Sequence, residues 1–152
     1  MTTKTEEKTI LIKGDPVYNE LAMTSGEAML PGHLVERVSA GTLSKHSGAG
    51  LTSTRAFALE NENDGGGIDD AYANGETVKF ATCRPGDVVN AILADGETVA
   101  IGEYLESNGD GTLREVDADA ATAQDERNSL VGIALEAQSP SGSTARILVE
   151  VI

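Results

Sequence analysis

What most constrains this chain is that it repeats itself. Residues 26–43 read GEAMLPGHLVERVSAGTL and residues 96–113 read GETVAIGEYLESNGDGTL. At a constant offset of 70, Gly26, Glu27, Gly32, Glu36, Gly41, Thr42 and Leu43 meet Gly96, Glu97, Gly102, Glu106, Gly111, Thr112 and Leu113. Seven identities in 18 ungapped positions compare with about one expected by chance, so two copies of one unit are joined in tandem. Downstream, Ala58-Leu59-Glu60 pairs with Ala134-Leu135-Glu136 at offset 76, and Gly75-x-Thr77 with Gly142-x-Thr144 at offset 67. The second half thus holds six extra residues before its ALE, and the first half nine after its own. At 152 residues the two units together make one domain of ordinary size. The expected organisation is a flexible N-terminal arm over residues 1–9, then a β domain over 10–152 with units of about 10–83 and 84–152.

Within each unit the signals are those of strands and tight turns, which predicts a mainly β barrel or sandwich. The 17 glycines fit many reversals. Asp95-Gly96, between Val88–Leu93 and Val99–Ile101, has the form of a two-residue hairpin turn, with Ser25-Gly26 as its weaker counterpart. Asn108-Gly109-Asp110-Gly111 is a second reversal. Each half ends in an alternating strand, Thr77–Ala81 and Ala145–Val151. Helix is expected to be minor: Asp117–Arg127 is rich in Ala, with early acids and a late Arg, and Asp69–Asn74 fits a single turn. With two Phe, three Tyr and no Trp, the core must be filled by Val, Ile, Leu and Ala.

The charge bears on partners. Eleven Lys and Arg against 25 Asp and Glu leave a net charge of −14, which repels polyphosphate and anionic lipid, and the bases are scattered along the chain. Neither direct nucleic-acid nor membrane binding is expected. The single cysteine, Cys83, has no internal disulfide partner, and no Cys/His cluster has zinc-ligand spacing. No apolar run approaches the ~18 residues of a membrane span, so the expectation is a soluble chain made in a cytoplasm.

Chemistry-bearing patterns are sparse. No GxSxG, HExxH, P-loop or GxGxxG is present. His33 and His46 are isolated, and His33 reads as a polar residue on a strand face after a Pro-Gly turn. Residues 60–71 place Gly65 where an EF-hand loop needs glycine, but the twelfth position is Ala71 instead of Glu. The repeated acids Glu36/Glu106 and Glu60/Glu136 read as a duplicated structural role, such as an exposed strand end. No catalytic residue, metal site or cofactor is expected. The loop that only the first half carries, with Asn63, Asp64, Asp69 and Asp70, is the natural place for a contact that one unit alone makes.

Several phrases taken together resemble the capsid decoration (cement, or head-stabilising) proteins of tailed double-stranded-DNA bacteriophages. They are Gly14-Asp15-Pro16-Val17-Tyr18, Phe57-Ala58-Leu59-Glu60-Asn61, Gly67-Ile68-Asp69-Asp70-Ala71-Tyr72, Arg84-Pro85-Gly86-Asp87, Leu93-Ala94-Asp95-Gly96-Glu97 and Ser129–Glu136. The resemblance runs from about residue 10 to the C-terminus. It implies a small, β-rich, non-enzymatic homotrimer on the outer surface of the virion head. There it would sit at three-fold and quasi-three-fold positions, with the major capsid protein as partner. It also implies that the polar arm, Thr2, Thr3, Lys4, Thr5, Glu6, Glu7, Lys8 and Thr9, reaches onto the capsid. Two other classes bear comparison. A carbohydrate-binding or adhesin-like module usually displays Trp or Tyr to stack on sugars, and this chain has no Trp. A trimeric β-fold nucleotide hydrolase would need nucleotide-binding and acidic catalytic motifs that are not visible.

Overall fold

The computed structural model describes residues 7–18, 23–116 and 129–152. Strands of the first half are β1 (Leu11–Lys13), β2 (Val17–Tyr18), β3 (Met23–Thr24), β4 (Leu34–Arg37), β5 (Leu43–Lys45), β6 (Ala56–Ala58), β7 (Thr77–Val78) and β8 (Phe80–Thr82). Those of the second are β9 (Val88–Leu93), β10 (Tyr104–Ser107), β11 (Leu113–Glu115), β12 (Leu130–Ala134) and β13 (Ala145–Val151). The chain is mainly β, as expected.

In the second unit β9 pairs with β13, β13 with β12, β12 with β10 and β10 with β11, all antiparallel. Strand β11 then returns to β9 through the parallel pair Leu113–Leu93, which closes a five-stranded barrel. The first unit follows the same circuit in shorter pieces. Strands β2 and β3 take the path of β9, and β7 and β8 that of β13, while Ser25 bridges Leu43 in parallel where β9 meets β11. The Met29–Tyr72 bridge likewise matches Val99–Gln138. Two pseudo-repeated β units are therefore present at the level of strand pairing as well as sequence.

The strand expected over Thr77–Ala81 is interrupted at Lys79. The Lys79 amide donates to the Tyr72 hydroxyl at 3.4 Å, and its carbonyl accepts from the Leu59 amide at 2.8 Å. Tyr72 lies at the end of the segment that only the first half carries, so the extra loop breaks the strand. The hairpin expected around Asp95-Gly96 also differs. The turn forms, but Val99 bridges Gln138, and the neighbours of β9 are β13, β11 and β1. A turn motif specifies a reversal, whereas barrel closure decides which strand pairs next. The reversal over residues 108–111 does join β10 to β11, with the Asn108 amide on the Thr112 carbonyl at 2.9 Å.

The helical turn expected at Asp69–Asn74 is absent: Tyr72 sits in its bridge, and the short 3-10 turn falls at Glu62–Asp64 instead. Gly65 closes that turn at φ +74°, a conformation that suits glycine. The helix expected over Asp117–Arg127 lies outside the described residues.

The two units form one domain because they share a core. One cluster joins Leu34, Phe57 and Cys83 to Val89, Leu93, Leu105, Leu113, Ile147 and Val149. Strand β1 comes from the first half yet pairs with β9, Leu11 opposite Val89, so the chain's start is laid on the second barrel.

Candidate contact surfaces

Several repeated side chains prove to be caps for backbone groups. Glu27 accepts the Lys45 amide at 2.9 Å, and Glu97 accepts the Glu115 amide at 3.1 Å. The GE pair thus survives in both halves because each unit needs an acceptor for the same strand N–H, whose loss when buried is costly. Glu60 and Glu136 also hold amides, those of Ile10 and Leu148. Glu36 and Glu106 have diverged. Glu36 binds the Ser47 amide and hydroxyl. Glu106 is buried rather than exposed, and it pairs with Arg114 at 2.9 Å and Ser129 at 3.0 Å.

His33 is the positional counterpart of Glu103. Its Nδ1 accepts the Leu30 amide at 2.9 Å, as Glu103 Oε2 accepts the Ala100 amide at 2.7 Å. Burial, with Lys45 and Arg146 nearby, pushes the imidazole pKa down from 6.5 to about 4, opposed by Asp110. The sign follows. Below about pH 6.5 the unfolded chain takes up a proton that the folded chain refuses, so stability falls with pH until about pH 4, by up to about 3 kcal/mol. His33→Gln keeps an acceptor for Leu30 and removes the titration. Its unfolding free energy, measured by denaturant titration, should fall less steeply than wild type between pH 6.5 and 4.5. Parallel curves would show that other groups carry the acid sensitivity.

His46 makes a contact that sequence distance concealed. Its Nδ1 lies 2.7 Å from the Ser107 hydroxyl, its Nε2 lies 3.1 Å from the Thr52 carbonyl, and Glu36 Oε2 is 3.9 Å away. A serine, a histidine and a carboxylate in order invite comparison with a nucleophile and its base. Here Ser107 has no exposed surface, and its oxygen already accepts the Gly109 amide at 3.1 Å. Such a hydroxyl cannot meet a substrate, and the chain of contacts ties β10 of the second unit to the first. Cys83 is buried in the shared core, which pushes its thiol up to about 12, and a thiol so rarely ionised is a poor nucleophile.

The loop special to the first half is docked on the second barrel. Arg146 on β13 donates to the Pro31 and Ile68 carbonyls and lies 3.7 Å from Asp69. Gly32, at φ +95°, leaves room for that guanidinium. Around Arg146 is a cleft of about 400 Å³ whose lining includes Glu7, Asn90, Glu136 and Gln138. Of the loop residues singled out, Asp69 meets Arg146, Asp70 accepts the Gly67 amide at 2.7 Å, Asp64 accepts from Asn61 at 2.9 Å, and Asn63 is exposed. Among the described residues no three His, Cys, Asp or Glu gather as a metal site. In the arm, Glu7, Lys8 and Thr9 are exposed, and Thr2, Thr3, Lys4, Thr5 and Glu6 lie outside the described residues.

The outer surface also carries exposed large apolar side chains. Val17, Tyr18, Leu51, Ile101, Tyr104 and Leu135 are all at least 40% exposed. Three of them, Ile101, Tyr104 and Leu135, fall in the second unit at positions equivalent to the buried Pro31, Leu34 and Leu59 of the first.

With the two-barrel arrangement in view, solved structures provide a match. The fold is similar to that of a phage head-fibre base. The structure in question is the N base of head fiber gp8.5 in bacteriophage phi29, at TM-score 0.54 and 11% identity, covering 91% of this chain and 95% of that one. At that identity the likeness is one of fold. No protein-family model matches the sequence, and no curated protein matches it.

Proposed function

We propose that this protein is a decoration protein of a tailed-phage head, bound to the outer surface of the capsid and stabilising the lattice of the major capsid protein. The observation that carries the reading is the near end-to-end fold likeness to a phage head-fibre base. The sequence phrases that resemble capsid decoration proteins point the same way independently. A net charge of −14 suits a protein that stays off packaged DNA and soluble before assembly. The partners are the major capsid protein and other copies of the chain, three-fold positions on the head are the expected seat, and the host cytoplasm is where it is made. The buried Ser107 and the strongly raised thiol of Cys83 offer no exposed nucleophile, which favours a binding role over an enzymatic one.

The arm is the part of the surface to test. Eight residues can extend to about 28 Å, enough to cross onto a neighbouring subunit. Fixing a chain segment in one conformation costs roughly 1–2 kcal/mol per residue, which sets the scale of the contacts a capsid-bound arm needs. Deleting residues 2–9 should leave folding intact and weaken retention on purified heads, read as the fraction that still sediments with heads after heating or at low ionic strength. A truncated protein held as firmly as the full chain would move the capsid contact to the loops of the barrels. Failure of the full chain to bind heads at all would overturn the reading.

A further inference from the structure

Within the chain the two units meet head to tail. One face of the first unit, around Pro31, Gly32 and Leu34, receives the β10–β11 turn of the second. The Leu34 amide donates to the Gly111 carbonyl at 2.8 Å, and the Gly111 amide donates to the His46 carbonyl at 3.2 Å. Because the units are repeats, each contact surface has a second edition at the far end of the chain. A Cβ placed on Gly32 would collide with Arg146 and Asn90, whereas one on its counterpart Gly102 would meet nothing within 4 Å. A Cβ on Gly111 would press on Lys45 and His33, whereas one on its counterpart Gly41 would again meet nothing. Leu34 is 0% exposed and its counterpart Tyr104 is 49% exposed, while Ile101 reaches 70%. On the turn side, Val88 is covered by β1, and its counterpart Tyr18 is 60% exposed. Among the described residues the molecule therefore presents an open face at one end and an open turn at the other, each of the kind that is filled in its middle.

Charge says what the open pair fits. In the internal contact the turn brings Asp110 to a face carrying His33 and Lys45. At the open ends the face carries Glu103 and Glu115 in place of His33 and Lys45, and Ala40 stands where the internal turn has Asp110. Arg37, exposed and stacked over the Phe80 ring at 5.3 Å, precedes the turn, so the open turn has lost the carboxylate that an acidic face would repel. We propose that copies of this chain associate head to tail, with the Ile101–Tyr104 face of one copy receiving the residue 38–42 turn of the next. Such a contact is heterologous, so it closes into a ring or continues as a filament. Self-association in general belongs to the functional reading above. The faces named here follow from the internal repeat and are tested on the isolated protein, so the two fail separately.

The test uses the full-length chain in sedimentation velocity over about 1–100 μM, a range in which assembly follows mass action. Wild type should assemble. Ile101→Asp and Ala40→Glu, both at exposed positions, should keep the wild-type circular dichroism spectrum and each weaken assembly at least about tenfold, the second by setting a carboxylate against Glu103 and Glu115. Mixing the two variants gives the distinctive result. Each retains one intact surface, so they should form a heterodimer that grows no further. The proposal is overturned by a wild type that stays monomeric, by variants that assemble as wild type does, or by a mixture that forms no heterodimer. Variants that assemble normally but no longer bind heads would give the face to the capsid and overturn it equally.

Discussion

Phe57→Ala should lower the unfolding free energy by about 3–5 kcal/mol, the usual cost of emptying a fully buried aromatic site. That is a large part of the roughly 5–15 kcal/mol a domain has in all. Phe57 is 0% exposed, sits on β6 between Leu34 and Ala81, and is one of only two phenylalanines. Its cluster includes Val89, Leu93 and Val149 of the second barrel, so the cavity opens in the core that both units share. The loss should therefore appear as one transition at lower denaturant, with the slope unchanged. Ile133 occupies the same position in the second unit but is only half-buried, and Ile133→Ala should cost about 1 kcal/mol. Two separate transitions in Phe57→Ala would mean that the barrels are energetically independent.

That contrast between equivalent positions marks how far the sequence could be read. Repeat offsets were enough to align Glu27 with Glu97, and the structure puts the two carboxylates on equivalent strand amides, those of Lys45 and Glu115. They were also enough to align His33 with Glu103, yet the shared capping role stayed hidden because imidazole and carboxylate look unrelated until both are seen accepting the amide three residues back. The strands followed from alternation and glycine turns. Their partners did not, since β9 is joined to β13, which lies beyond three intervening strands, by barrel closure and not by the turn that follows it. The contact of His46 with Ser107, 61 residues away, carries no local signal at all. Least legible was the way the units pack. A repeat states which positions are equivalent and is silent on which equivalent face is covered, so Leu34 and Tyr104 look alike in sequence while one is buried and the other exposed.

Gly132→Val should be the other severely destabilising change, for a reason the repeat makes specific. Gly132 pairs with Val151 across the β12–β13 ladder, and its counterpart in the first unit is Ala56, which pairs with Thr82. The same strand position thus holds a Cβ in one barrel and none in the other. A Cβ on Gly132 would lie 2.6 Å from the Glu150 carbonyl oxygen and collide with the Val149 side chain. The first of these is backbone in the middle of a paired strand, so it cannot swing aside as a surface side chain would. Relief requires β13 to move away from β12, and β13 also pairs with β9 along Ala145–Glu150, so the strain spreads round the closed barrel. Overpacking of this kind costs about 1–3 kcal/mol for an added methyl or two in a core that yields, and more where backbone must shift. Gly132→Ala, whose Cβ alone already meets that backbone, should lie at the upper end of that range, about 3 kcal/mol. Gly132→Val should exceed about 3 kcal/mol and lower the melting temperature by roughly 10 °C. Ala56→Gly, which removes the matching Cβ, should cost only about 1 kcal/mol through lost burial and added chain entropy. Thermal unfolding followed by circular dichroism orders the three variants, and a Gly132→Val protein that melts within about 2 °C of wild type would show that β12 and β13 pack more loosely than their pairing implies.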